Sequence, residues 1–136
     1  MLQSCAEIRC QRYWRRIQGE LQLLDGLKRV RERIAAACEK AGRSEDEVRV
    51  VAVTKYVDVP AIEKAVAQGI VDIGENRVQE ARVKFPQLPP HVIRHMIGHV
   101  QTNKARHVVE LFHWVHSLDR LSLAQSLSKR ATAAGK

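Results

Sequence analysis

Lys55 closes a short apolar run, Val48-Arg49-Val50-Val51-Ala52-Val53-Thr54, that is rich in β-branched residues. A run of this length and composition reads as a strand buried on both faces, as in parallel sheets. A lysine at its end keeps its stem in the core and its amine at the rim. Desolvation there favours the neutral amine, a nucleophile toward a carbonyl. Later apolar runs are also followed by residues that can bind or react: Gly74, Glu75 and Asn76, then Gly98, His99, Gln101, Thr102, Asn103 and Lys104, then Ser117 and Asp119. Together they suit a polar, anionic small molecule.

Each of these residues also has a plainer reading. Lys55 can simply be a charge ending a strand, and Asn76 a helix cap. Gly74 and Gly98 are single turn glycines, too few for a phosphate loop. His95 and His99 have the spacing of helical zinc ligands, but their β-rich neighbours and Gly98 argue against a helix, and the glutamate of H-E-x-x-H is missing. His113 and His116 lack an evident third ligand, and Trp114 and Val115 read as core.

The elements that must position these residues follow from the pattern. Leu24, Leu27, Val30, Ile34, Cys38 and Ala41 recur at helical spacing, with Gly42 as the stop. Residues 1–20 are poorly patterned and interrupted by Gly19; they read as an extension ahead of a domain over 21–136. Ser44 to Glu47 form a polar turn. Beyond the first strand, Pro60 opens a helix that Gly69 closes, and Ile70-Val71-Asp72-Ile73-Gly74 is a second strand. Asn76 is placed to cap the next helix, which Pro86 ends. Val92 to Ile97 is a third strand, Thr102 opens a helix, and His113 to Ser117 is a fourth strand. Asp119 is placed to cap a last helix running through Ala131. A helix followed by four strand–helix units predicts a parallel sheet. An open doubly wound sheet and the start of a (β/α)8 barrel both fit, and both put sites at the C-terminal ends of the strands.

Composition narrows the class. The chain has 136 residues, 45% apolar and only 4% aromatic, which predicts one domain with an aliphatic core. A net charge of +8 would suit a polyanion, but basic residues are interspersed with acids, so nucleic acid is disfavoured as a partner. Three cysteines without a C-x-x-C pair predict a reduced, cytoplasmic chain. No run has the length of a membrane span, and the N-terminus lacks a secretory h-region.

Four segments, in order and spacing, resemble one family. They are Val51-Ala52-Val53-Thr54-Lys55, Ile73-Gly74-Glu75-Asn76-Arg77-Val78-Gln79-Glu80, His95-Met96-Ile97-Gly98-His99-Val100-Gln101-Thr102-Asn103-Lys104 and Val115-His116-Ser117-Leu118-Asp119. The sequence from about Leu21 onward resembles the pyridoxal phosphate homeostasis proteins (the YggS/PROSC family). The resemblance implies an α/β fold, a TIM-type β/α barrel related to the N-terminal domain of alanine racemase. It further implies pyridoxal 5'-phosphate held as an aldimine on Lys55, with Asn76 lining the pocket and His95 on a strand bordering it. Such members serve intracellular vitamin B6 homeostasis without an established turnover. Arg94 departs from the family, standing where a tryptophan is common, and residues 1–20 have no counterpart.

A complete barrel takes about 250 residues, so the expectation is a C-terminally truncated member, residues 21–136 forming the N-terminal half of the barrel with four parallel strands. Its sheet edges would be open to self-association or to a complementary half, and its inner face uncovered. Phosphate contacts from later loops, worth about 1.5–3 kcal/mol each, would be missing and binding weakened. Two rival functions remain: a racemase of the related fold, which would convert L-alanine to D-alanine, and a basic RNA- or protein-binding module, whose association would survive Lys55→Ala.

Overall fold

The computed structural model describes residues 5–136, with side chains from Gln22 onward. It divides into two compact units, Met1–Arg49 and Val50–Lys136. In the first, helix α1 (Cys5–Ala41) runs unbroken through Gly19. The interruption expected there does not occur, because a lone glycine costs only about 1 kcal/mol relative to alanine in a helix. Gly42, at φ +64°, ends the helix, and the Arg43 N–H closes back on the Cys38 carbonyl at 3.1 Å. Ser44 then caps a single 3-10 turn, Glu45–Glu47. Cys38 is buried, whereas Leu24 and Val30 on the same apolar stripe are exposed.

The second unit holds β1 (Val51–Val53), α2 (Val59–Ala67), β2 (Asp72–Glu75), α3 (Val78–Lys84), β3 (Ile93–Met96), α4 (Ala105–Leu111), β4 (Trp114–Val115) and α5 (Leu121–Ala133). All strand pairs are parallel, in the order β1-β2-β3-β4. A doubly wound sheet reverses its strand order at a switch point; a barrel adds each strand to the same growing edge. The observed order is therefore that of four successive units of a β/α barrel, about half of one.

Strand parity assigns the two faces. Thr54 and Glu75 bond to Lys84 of α3, and the Arg94 guanidinium lies 5.4 Å from the centre of the Phe85 ring just after α3. Ala52, Thr54, Ile73, Glu75, Arg94 and Met96 thus face the helices. The core lies between this face and the helices: Ile62, Ile73, Ala81, Phe85, Met96, Val108 and Leu123 are fully buried, and Phe85 meets Phe112 edge-on at 5.2 Å. Val51, Val53, Asp72, Gly74, Ile93, His95, Trp114 and His116 take the opposite face.

That opposite face corrects two expectations. Strand β1 is not buried on both sides, since Val53 is 52% exposed. Trp114 is not core; it is 56% exposed. Among the described residues of the second unit no helix covers this face, so Val53 and Trp114 meet solvent there. Two caps also differ. The N-cap of α3 is Arg77 rather than Asn76. Asn76 stays with the strand end, where Ile97 N–H bonds the Glu75 carbonyl at 3.1 Å and Gly98 packs on the Asn76 peptide. The N-cap of α5 is Arg120 rather than Asp119, whose carboxylate instead pairs with Arg120 and His99. Asp58 does cap α2, accepting from Ala61 N–H at 3.0 Å. Among the described residues no helix is long and apolar enough to cross a membrane.

Candidate functional site

Lys55 follows β1 and is exposed, so the partly buried stem expected for it is not found. Its backbone is nevertheless closely held. Val57 N–H bonds the Thr54 carbonyl at 3.0 Å, which makes Lys55 and Tyr56 the two central residues of a tight turn. Tyr56 adopts φ +63°, a left-handed conformation that costs a side-chain-bearing residue roughly 1–2 kcal/mol.

The surroundings that hold this turn are polar and buried. The Lys84 amine donates to the Thr54 carbonyl and to Glu75 Oε1, both at 2.8 Å. The Thr54 hydroxyl donates to the same Glu75 oxygen at 2.7 Å. Glu75 is 0% exposed and its second oxygen has no partner; Lys84 is 13% exposed. A buried ion pair thus grips the peptide carbonyl immediately before Lys55.

Register brings the predicted residues together on the open face. Val53 pairs with Gly74, and Gly74 with His95. Just beyond this row Lys55 lies in the turn after β1 and Asn76 directly follows β2, so the two residues stand at the C-terminal ends of adjacent strands. Asn76 is half-buried and does not serve as a cap. Gly98 fixes its place. A Cβ there would sit 2.7 Å from Asn76 Cα and 2.8 Å from its carbonyl carbon, and closer still to its oxygen. Only glycine lets the two backbones approach in this way. His95 lies one row below, 2% exposed.

His95 does not act alone. Its Nε2 lies 2.7 Å from Asp72 Oδ1, and its Nδ1 lies 2.8 Å from Nε2 of His116. Trp114 runs nearly parallel to the His95 ring, with centroids 6.4 Å apart. The sequence had marked neither Asp72 nor His116 as part of a site; an acid inside an otherwise apolar strand was the available signal. His113, at the sheet edge, accepts the Arg94 N–H on Nδ1 at 3.0 Å and donates its own N–H to the Arg94 carbonyl at 2.8 Å. Partial burial, then the positive charges of Arg94 and Lys136, and last His95, hold its pKa below the usual histidine value.

A singly wound parallel sheet of four strands, with a lysine, an asparagine and linked histidines at or near the strand ends, is that of a β/α-barrel protein. No family model matches the chain. A pyridoxal phosphate homeostasis protein of Pseudomonas aeruginosa is 40% identical over 112 residues, 82% of this chain and 49% of that protein. The fold is similar to an unknown protein from Bifidobacterium adolescentis, with a TM-score of 0.79 and 35% identity over 87% of this chain and 53% of that one. It is also similar to PipY of Synechococcus elongatus with PLP (pyridoxal phosphate) bound, with a TM-score of 0.66 and 38% identity over 79% and 50% of the two chains. The chain belongs to the pyridoxal phosphate homeostasis family. It spans about half the length of the curated relatives it matches.

Proposed function

We propose that this chain binds pyridoxal 5'-phosphate and serves intracellular vitamin B6 homeostasis, with Lys55 as the amine that takes the aldehyde and Asn76 and His95 lining the pocket. The observation that carries this reading is the placement of Lys55 and Asn76 at the C-terminal ends of adjacent strands. The bound form of PipY supports it. The residues present fit the cofactor's reactive end: an exposed primary amine, an amide free of helix capping, and imidazoles on the same face of the sheet. The cofactor supplies an aldehyde that condenses reversibly with a primary amine.

The protein's own part is to hold. The Lys84–Glu75 pair anchors the Thr54 carbonyl and so fixes where the lysine leaves the sheet. Gly98 fixes Asn76. The relatives' names support a holding role rather than turnover, and a cysteine usage of three without a C-x-x-C pair supports a cytoplasmic setting.

Titration with pyridoxal phosphate tests the proposal. A visible absorbance band should appear, borohydride should trap a covalent adduct on Lys55, and Lys55→Ala should lose both. An equal band in Lys55→Ala would overturn the assignment. Incubation with L-alanine should yield no D-alanine; its appearance would replace holding with racemisation.

A further inference from the structure

We propose that His116 is the ligand-facing end of a three-residue proton relay, Asp72–His95–His116, that receives an acidic oxygen of the ligand. The inference rests on the cofactor-binding reading for the identity of its ligand, and on geometry for the relay itself.

The relay climbs the open face one row at a time. Asp72 is level with Val51 and Ile93; His95 is level with Gly74 and Trp114. Met96 pairs with Val115, so His116 stands level with Ile97 and, two positions past the Gly74–His95 pair, with Asn76. The buried carboxylate is thus at the foot, the buried imidazole in the middle, and the exposed imidazole in the row of Asn76, at the rim where Lys55 follows β1.

Hydrogen-bond logic fixes the protons. A carboxylate only accepts, so His95 carries its proton on Nε2, facing Asp72 Oδ1. Its Nδ1 then accepts, and His116 must donate from Nε2 across the 2.8 Å contact. The Nδ1 of His116 is left with a lone pair. Adding one proton has a single outcome at that atom. If the charge rests on His116, both its nitrogens carry hydrogen. If it rests on His95, the shared hydrogen belongs to His95 Nδ1 and the hydrogen of His116 moves to its own Nδ1. Either way His116 Nδ1 changes from acceptor to donor, and the positive charge is shared toward a buried carboxylate. A ligand hydroxyl or acidic phosphate can therefore give up its proton to His116 Nδ1 and remain hydrogen-bonded to it as an anion. The charged groups on this face include Asp72 itself and, at the rim, Lys55.

Ring-nitrogen NMR of 15N-histidine-labelled full chain reads this directly, with no dependence on turnover. In the free chain both His95 and His116 should show the Nε2–H form. Pyridoxine 5'-phosphate has no aldehyde and cannot condense with Lys55. On adding it, His116 Nδ1 should move to the protonated position and His95 should respond with it. Asp72→Asn should uncouple the two rings, and His116→Asn, at an exposed position, should weaken the probe about tenfold or more, the loss of one charge-assisted hydrogen bond. Pyridoxine and inorganic phosphate, used separately, show whether the ring oxygen or the phosphate is the group received. A silent His116 in a chain that still forms the Lys55 adduct overturns the relay and leaves the cofactor reading standing. A responding His116 with no Lys55 adduct does the reverse, and silence in both overturns both. An unchanged coupled response in Asp72→Asn also overturns the relay.

Discussion

Replacing Lys84 by methionine removes an amine and keeps most of the side chain's volume, so its effect isolates the buried charge. In the native chain the Glu75 carboxylate is 0% exposed and takes two donors on Oε1, Lys84 at 2.8 Å and the Thr54 hydroxyl at 2.7 Å, with none on Oε2. After the substitution one neutral hydroxyl remains. Breaking a buried pair from one side costs about 3–5 kcal/mol, because the surviving charge is stranded. Lys84 also donates to the Thr54 carbonyl, which keeps its Val57 bond, so that loss adds only about 1 kcal/mol. The Glu80 carboxylate, 3.7 Å away and partly exposed, contributes little beyond this. Urea unfolding of the wild-type chain, Lys84→Met, Glu75→Gln and the double variant gives the coupling. Lys84→Met should lose about 3–5 kcal/mol, and the double variant should recover most of it, since no charge is then buried. A Lys84→Met chain within about 0.5 kcal/mol of wild type, or a double variant no better than the single, would refute the argument.

Three further outcomes are expected. Gly98→Ala forces a methyl group into the Asn76 backbone, so it should cost about 1–3 kcal/mol in unfolding experiments and loosen cofactor retention by displacing Asn76. Tyr56→Gly relieves a left-handed residue whose ring is exposed; the strain of roughly 1–2 kcal/mol is offset by glycine's greater unfolded entropy, so the melting temperature should stay level or rise slightly. His113 has a folded pKa below its unfolded value of about 6.5, so the unfolded chain binds the extra proton first. Its contribution is complete above that value and is lost as pH falls through the window below it, where protonation also removes the acceptor for the Arg94 N–H. The stability–pH slope in that window should be shallower in His113→Leu than in wild type.

The order of elements was legible because each helix and strand carries its own period and its own stops. Gly42, Pro60, Gly69 and Pro86 all lie at element ends. The positions of Lys55, Asn76 and His95 were legible because they end strands or lie in them, and a parallel sheet delivers such strand ends to one rim. Cap identity was less legible. Asn76 and Asp119 are good capping types, yet Arg77 and Arg120 hold the cap positions, because neighbouring strands and ion pairs decide where each helix begins. The burial of β1 and Trp114 was misjudged for a related reason. Residue type reports the environment a whole barrel would give, and half a barrel leaves one face of the sheet open. Lys84 had no sequence signal at all, since its partner Glu75 lies nine residues back, at the end of the preceding strand.

The two acids of β2 show why parity matters more here than residue type. Asp72 and Glu75 are three positions apart in a strand, an odd number, so they must project to opposite faces. Both are buried, and each has recruited polar partners from its own side: Glu75 a lysine from α3 and the threonine that follows β1, Asp72 an imidazole from β3 that passes the contact on to the histidine after β4. On the helix-covered face the network ends inside the protein, and its consequence is a fixed Thr54 carbonyl and a fixed exit for Lys55. On the open face it ends at an exposed histidine, where a proton can enter or leave. The same strand therefore supplies the scaffold under the reactive amine and the polar chain beside it. Moving Asp72 one residue along the strand would turn its carboxylate in among Ile73 and Met96 and leave an apolar side chain against His95. Such a shift should destabilise the whole sheet, because the covered face surrounds the misplaced carboxylate with fully buried neighbours.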